Sequence, residues 1–476
     1  MALLWKIKIK NRSISSLLAQ YVAVKAVSWL GNRQRNRLET DTQDIHRVQE
    51  ETLLKRLQKH SNTVYGKQYK FTSIKDTETF QQLHPVTEYD HYEKFVERVA
   101  KGEQNVLISE KPLVLAMTSG TSGSSRMLLS TKDTNTEFFS QSEAGIPIGP
   151  NSSTPASSKH MLHLYTTPAP AYEEKWKELV ADVEVGMINS GLNLKADVRR
   201  ALEKMMKPDP ERAAELTAQF EEGFEGIALR IWPQLHLVLT VDSGSNQIYG
   251  EMLRQHYCKD VPFYSPFYAA TEGLIGVNLW PQQDSRQYLL CPRSMFCEFI
   301  PEEDLDSERP KTLLMEQLQE GHNYELLVTN ASGLFRYRIG DVVKIVGFHN
   351  QCPKVEFQYR RGQMLSVRGE KVSESLFLGA LKRAVTQWPG AKLIDYSCVE
   401  SGILDHCLQE DSDIYRSFRM KGSIGPMRVQ LVRDGTFQEL KDRMMAFSTA
   451  SSNTFKMQRV IRRREFADFL LQRAFS

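Results

Sequence analysis

The six cysteines (Cys258, Cys291, Cys297, Cys352, Cys398, Cys407) form no CxxC pair and have no histidine partner at zinc spacing. This excludes a disulfide scaffold and a zinc module, and it fits buried or free thiols of a reducing compartment. The sequence has no uninterrupted apolar run of ~18 residues, so no segment reads as a membrane span. With 27 Gly and 19 Pro among 476 residues it has too little of either for a collagen-like or disordered chain. It also lacks charge excess: 61 basic and 58 acidic side chains leave +3, which gives no whole-chain reason to expect a nucleic-acid partner. Neither a GxxxxGK[ST] loop, nor a dinucleotide fingerprint, nor a GxSxG elbow with a spaced Asp and His occurs, which argues against P-loop, dinucleotide-binding and serine-hydrolase chemistry. What remains is a chain 41% hydrophobic and 25% charged, long enough for two or three domains with a core of ordinary size.

The small net charge hides an asymmetry. Residues 1–37 carry eight basic groups (Lys6, Lys8, Lys10, Arg12, Lys25, Arg33, Arg35, Arg37) and no acid, so the remaining 439 residues sum to −5. Inside this segment lies LLAQYVAVKAVSWL (residues 17–30), apolar but interrupted by Gln20, Lys25 and Ser28 and too short to span a bilayer. Three readings stay open: a surface helix docked on the body, a helix lying in an anionic membrane interface with Trp29 at headgroup depth, and an acid-free targeting segment. A cytoplasmic location is expected, with attachment to the endoplasmic reticulum or another membrane through residues 1–37 as the alternative.

Along the chain, Ile45, Val48, Leu53, Leu54 and Leu57 recur at helical spacing within residues 43–59, and Tyr89, Tyr92, Phe95, Val96 and Val99 repeat the pattern. Residues 106–117 read as strand, broken by Glu110-Lys111-Pro112. Residues 191–231 read as helix interrupted at Pro208 and Pro210. Residues 235–241 (LHLVLTV) read as a short buried strand running into an Asp-Ser-Gly-Ser loop, and further strands are expected at 324–328 and 342–346. Helices alternating with short buried strands favour an α/β fold. The turn-forming Tyr-Arg-Arg-Gly at 359–362 marks a hinge. The expected division is a basic segment (1–42), a large domain (43–361) and a small α+β domain (362–476) with helices at 374–388 and 436–447 and strands at 392–399 and 427–432.

Three motifs could carry chemistry. Thr118-Ser119-Gly120-Thr121-Ser122-Gly123 follows a strand directly, with Arg126 close behind. Its glycines allow close backbone approach, its amides and hydroxyls supply donors, and the combination suits phosphate oxygens better than it suits a plain flexible loop. Tyr268-Ala269-Ala270-Thr271-Glu272 places a carboxylate beside a hydroxyl at the end of an aromatic strand, where it suits Mg²⁺ shared with phosphate; a solvated loop glutamate is the plainer alternative. In Phe335-Arg336-Tyr337-Arg338-Ile339-Gly340-Asp341 the two arginines are expected on one strand face. Asp341 is expected just past the strand end, either accepting both hydroxyls of a ribose or occupying an ordinary turn.

Together TSGTSG, YAATE and FRYRIGDVVKIVGFHNQCPKVEFQYR resemble the three nucleotide-binding motifs of the GH3 family, acyl-acid amido synthetases within the adenylate-forming superfamily. The similarity also takes in QEETLLKRL, VYGKQY, HPVTEYDHY, IWPQLHLVLTVDSGS, GEKVSE and FKMQR, over roughly residues 43 to 465. The resemblance implies a large adenylate-forming α/β domain with a small, mobile α+β C-terminal domain. It implies ATP and Mg²⁺ as cofactors, and a small carboxylic acid and an amine, usually an amino acid, as substrates. By the same resemblance residues 118–123 would cradle the ATP phosphates, Tyr268 would lie on adenine, Thr271 near the α-phosphate, Glu272 on Mg²⁺ and Asp341 on the ribose. Arg361 would sit at the hinge and reach the ribose, and Lys456 of FKMQR would be the mobile lysine on the reacting carboxylate, with Glu272, Arg126 and Lys456 as the catalytic set. The implied function is an ATP-dependent ligase that makes an acyl-AMP and passes the acyl group to an amine. The alternatives are a non-catalytic nucleotide- or partner-binding relative and an acyl-CoA-type ligase.

Overall fold

The computed structural model describes residues 14–117, 126–142, 162–163, 170–192, 194–241, 247–281, 286–361, 374–387, 393, 395–397, 404–423, 430–446, 457–458, 460–461 and 463–475. The chain divides into two compact units. One comprises residues 1–118, 125–157 and 266–362; the other comprises 119–124, 158–265 and 363–476.

In the first unit the helical spacings seen in the sequence become α1 (Ile14–Asp41), α2 (Ile45–His60), α3 (Val64–Gln68), α4 (Thr77–Leu83), α5 (Tyr89–Ala100) and α6 (Lys132–Ser142). The periodic residues of α2 and α5 form the buried stripes: Ile45, Val48, Leu53 and Leu57 on one, Tyr89, Tyr92, Val96 and Val99 on the other. A buried glutamine ties α2 to the sheet. Gln49 donates from Nε2 to the carbonyls of Pro292 (2.6 Å) and Met295 (3.0 Å), and its Oε1 accepts from the Cys297 amide (2.8 Å). Strands β1 (Val114–Met117) and β2 (Met127–Ser130) pair antiparallel, Met117 opposite Met127. Of the strand expected over 106–117, only the part beyond Pro112 forms.

The principal sheet holds β6 (Phe267–Ala270), β7 (Gly273–Val277), β8 (Tyr288–Leu290), β9 (Phe296–Pro301), β10 (Asn323–Thr329), β11 (Tyr337–His349) and β12 (Cys352–Arg360), in the order β6-β7-β8-β12-β11-β10-β9. Every pairing in it is antiparallel. Its core includes Phe296, Phe299, Phe335, Tyr288 and Tyr337, packed against Tyr65, Tyr92 and Phe80 from the helices. Beside Phe335 the Tyr65 hydroxyl meets Nε2 of His84 (2.8 Å) and of His91 (2.9 Å), and burial holds His84 neutral with its pKa lowered to about 3.

The second unit contains a parallel three-stranded sheet, β3 (Leu162–His163), β4 (Val238–Leu239) and β5 (Phe263–Tyr264), in the order β3-β4-β5. The strand expected at 235–241 is thus two residues long. Helices α7 (Pro170–Val185), α8 (Ala196–Glu203), α9 (Pro210–Glu221), α10 (Ile227–Ile231) and α11 (Gln247–Met252) accompany it. The expected break at the prolines occurs: Pro210 opens α9 behind Asp209, whose side chain caps the Arg212 amide at 2.9 Å. Further on come α12 (Glu374–Thr386), α13 (Leu404–Asp411), α14 (Asp413–Met420), α15 (Thr436–Ala446) and α16 (Arg464–Gln472). Phe377, Leu381, Tyr396 and Leu408 share one cluster with Ile248 of α11, and α15 and α16 share another through Leu440, Met444, Phe466 and Phe469. The helices expected at 374–388 and 436–447 appear as α12 and α15. Most of the strand expected at 392–399, and residues 427–429 of the next, lie outside the described residues; Val432 makes an isolated bridge to Ala474.

Candidate functional site: a charged cluster inside the curled sheet

The sheet order puts β7, β8 and β12 between β6 and β11, which in a flat sheet would separate β6 from β11 by about 19 Å. Yet the hydroxyl of Tyr268 on β6 donates to Oδ2 of Asp341 on β11 at 2.8 Å. The sheet therefore curls, and Tyr268 crosses its concave side, packing against Tyr288 of β8 and Phe357 of β12 on the way.

Asp341 lies within β11, not past its end. Between Leu327–Arg338 and Glu325–Val342 the ladder advances two residues on β10 and four on β11, a bulge that contains Gly340 and Asp341. Gly340 has φ +85°, a left-handed conformation strained for any residue with a Cβ, which explains the glycine in the Ile-Gly-Asp run. The bulge presents Asp341, only 2% exposed, to its cross-strand neighbour Arg360, whose Nε donates to Oδ1 at 2.5 Å. The carboxylate raises the Arg360 pKa, so this guanidinium stays charged. Burial, reinforced by Asp341, pushes the Tyr268 phenol well above its ordinary value and keeps it a donor.

Thr271 and Glu272 form the two-residue tip of the β6–β7 hairpin, between paired Ala270 and Gly273. Thr271 is exposed and Glu272 half-buried. Gly273, at φ +142°, closes the turn, and the Asn330 side-chain amide fixes the Glu272 carbonyl at 2.8 Å. Burial raises the Glu272 pKa, and it does so against the opposing pull of Arg360 and Arg126. Arg126 enters from the start of β2. Its Nη1 donates to the Tyr337 hydroxyl at 3.0 Å, and its guanidinium lies 5.5 Å from the centre of the Tyr89 ring. Tyr89 in turn exchanges two 2.9 Å hydrogen bonds with the Met127 backbone, accepting from the amide and donating to the carbonyl. Burial, helped by Glu272, raises the Tyr337 phenol to about 12.

Of the residues singled out from the sequence, the structure therefore brings together Tyr268, Thr271, Glu272, Arg126 and Asp341. Arg361 faces elsewhere, its Nη1 3.3 Å from Glu325 and its Nη2 3.4 Å from Asp306. The guanidinium on Asp341 belongs to its neighbour Arg360. Arg338 pairs with the buried Glu325, and Arg336, which precedes β11, pairs with the buried Glu298. Thr118, Ser119, Gly120, Thr121, Ser122, Gly123 and Lys456 lie outside the described residues. Arg360, Tyr337, Tyr89 and Asn330 escape motif reading; the doubled Arg360-Arg361 was the available signal, but only the β11–β12 register decides which of the two meets Asp341.

Chemically the cluster offers two guanidinium groups, one buried carboxylate bonded to Tyr268 and Arg360, and a second carboxyl held towards its neutral form by burial. That donor set suits a phosphorylated ligand accompanied by a divalent cation.

Comparison with known proteins identifies the family. Family models match the GH3 family N-terminal domain at residues 34–170 and 167–263, the central domain at 288–360 and the C-terminal domain at 401–465. A mouse GH3 domain-containing protein is 43% identical over 298 residues, 56% of this chain and 56% of that protein, so the match spans little more than half of the relative's length. The indole-3-acetic acid-amido synthetase GH3.3 of Arabidopsis thaliana is 24% identical over 89% of this chain and 91% of its own. Among solved structures, a GH3.15 acyl acid amido synthetase shares the fold with a TM-score of 0.80 at 21% identity, covering 93% of this chain and 96% of that one. With all three domain models matched in order, the chain belongs to the GH3 family.

Proposed function

We propose that the protein is an ATP-dependent acid–amino acid ligase. The observation that carries this reading is the convergence of Tyr268, Asp341, Arg360, Glu272 and Arg126 on the concave side of one curled sheet. Asp341 is oriented by Tyr268 and Arg360 to accept ribose hydroxyls, Tyr268 would lie against adenine, and Thr271 at the exposed hairpin tip suits the α-phosphate. Arg126 and Arg360 offset phosphate charge. Glu272 would hold Mg²⁺, which supplies charge neutralisation at the phosphates, and the carboxyl's raised pKa fits a group whose natural partner is a cation.

In the first half-reaction a substrate carboxylate oxygen attacks the α-phosphorus, the bond to the β-phosphate oxygen breaks, and acyl-AMP and pyrophosphate form. In the second an amine nitrogen attacks the acyl carbon, the bond to the AMP oxygen breaks, and the amine proton is lost as the amide forms. The chain's own groups stabilise the charge that gathers at phosphorus; they need no covalent intermediate with the protein. The test is ATP–pyrophosphate exchange across a panel of carboxylic acids, with Glu272→Ala as the control. Acid-dependent exchange that Glu272→Ala abolishes is the expected result. Failure of every acid, together with absence of ATP binding by calorimetry, would overturn the ligase reading.

A further inference from the structure

We infer that the amino-terminal helix α1 is an interfacial arm that seats the protein on an anionic lipid bilayer, a role independent of the ligase reading.

The helix has two different halves. Its carboxyl end is fastened to the body: Leu38 is 3% exposed, Asp41 holds Arg293 through two hydrogen bonds of 2.7 and 2.8 Å, and Glu39 meets His349 (2.6 Å) and Asn350 (2.9 Å). Earlier in α1 Leu30 is half-buried, but the other large apolar side chains described are not docked. Leu18, Tyr21, Val22 and Trp29 are between 57% and 62% exposed, which is the opposite of what a helix packed along its length would show. They fall at positions i, i+3, i+4 and i+11, so they share one face, and Lys25 at i+7 lies on that same face.

The cations are placed beside the aromatic rings. Lys25 Nζ is 5.7 Å from the Tyr21 ring centre, and the Arg33 guanidinium is 5.7 Å from that of Trp29. A ring sunk to the acyl boundary with its cation one step shallower is the arrangement that matches a headgroup layer, where apolar and positive groups must be met at adjacent depths. Residues 14–37 carry Lys25, Arg33, Arg35 and Arg37 without one acid, so the complementary surface is anionic. From Leu18 to Trp29 the helix is about 18 Å long against a hydrocarbon core of about 30 Å, so it lies in the interface and does not cross it. In agreement, no helix among the described residues is long and apolar enough to cross a membrane.

The experiment is flotation of the full chain with phosphatidylcholine vesicles, with and without about one-third phosphatidylserine. The protein is expected to float with the serine-containing vesicles. Removing each cation should weaken partition roughly fivefold, so that Lys25→Ala with Arg33→Ala weakens it roughly thirtyfold. Val22→Ser with Trp29→Ser should weaken it at least about tenfold through lost apolar insertion. Brominated lipid should quench a tryptophan signal that disappears in Trp29→Phe, a variant that still floats. Far-ultraviolet circular dichroism of each variant guards against misfolding. Equal flotation with both vesicle types, flotation indifferent to these substitutions, or absence of flotation alongside binding to a soluble acidic polypeptide would overturn the proposal, the last in favour of a protein partner. Pyrophosphate exchange by non-floating variants separates its failure from that of the ligase reading.

Discussion

Two arginine–carboxylate pairs sit in the same sheet and have opposite characters. Arg336 and Glu298, 6% and 1% exposed, form a closed structural joint. All three guanidinium nitrogens of Arg336 donate: Nε and Nη2 to Glu298, Nη2 also to Thr312, and Nη1 to the carbonyls of Gln81 (2.8 Å) and His84 (2.5 Å). Arg360 is 32% exposed and, among the described residues, donates only through Nε, to Asp341. A buried ion pair overcomes its desolvation cost when the remaining donors are satisfied. Where a buried carboxylate is instead matched with a guanidinium whose terminal donors are left over, a ligand can supply what the fold does not. Saturation of hydrogen-bonding capacity therefore separates the two pairs, whereas burial of the carboxylate, 1% exposed in Glu298 and 2% in Asp341, does not.

The largest expected effect tests that contrast directly. Arg336→Met strands the Glu298 charge in the core and should cost about 3–5 kcal/mol in urea unfolding. Arg360→Met should cost about 1 kcal/mol, since Tyr268 still donates to Asp341. Equal losses would erase the distinction between the two pairs. Next in size, Asp341→Asn should weaken ATP binding measured by calorimetry by about tenfold to a hundredfold, the worth of a hydrogen bond to a charged group, while the folded state survives. Unchanged affinity would remove Asp341 from the nucleotide site.

Glu272 sharpens the comparison through pH. Its folded-state pKa is raised by burial, so the folded protein binds this proton more tightly than the unfolded chain does. Stability from this group is therefore gained as pH falls through the raised pKa and lost as pH rises above it. Glu272→Gln should accordingly match or slightly exceed the parent's melting temperature at neutral pH and lose the advantage on acidification. Binding of Mg²⁺ and ATP to the parent should release a proton, seen as a dependence of binding heat on buffer ionisation enthalpy, which the variant should not show. A melting temperature that drops at neutral pH would mean that the carboxylate is paired in the fold. The smallest effect belongs to Tyr89→Phe, which keeps the ring under Arg126 but removes both bonds to Met127. About 1 kcal/mol of stability and a several-fold rise in KM for ATP with kcat nearly unchanged are expected in the exchange assay. A fall in kcat alone would show that Tyr89 does not position Arg126.

How much of this was readable beforehand differs by kind of information. The stripes of α2 and α5 were readable, because 3.6-residue periodicity is a local property of the chain. Tyr268, Glu272 and Asp341 were readable as motif members, and the fold sets Tyr268 against Asp341. The choice between Arg360 and Arg361 was not. Adjacent strand residues point to opposite faces, and the β11–β12 ladder slips between Val342–Tyr359 and Val343–Phe357, so parity counted along the sequence does not carry across. Arg336 and Arg338 were expected on one strand face, but Arg336 precedes β11, and their partners Glu298 and Glu325 lie in other strands, which nothing local announces. The amino-terminal segment was readable as basic and apolar, whereas its three readings differ in exposure, which is a tertiary quantity.

The sequence by itself determined the family, the order of its motifs, the helical stripes and the separation of a basic front from a mildly acidic body. These follow from composition, spacing and residue type, none of which requires knowing what lies opposite. Only the tertiary structure decided that Asp341 rides a bulge, that Arg360 is its partner, that Tyr89 braces Arg126 and that one face of α1 remains uncovered. Each of those depends on which elements come to lie against one another, and the Tyr268–Asp341 contact further requires a sheet curled until its first strand touches its fifth, which is set by twist and register summed over many strands.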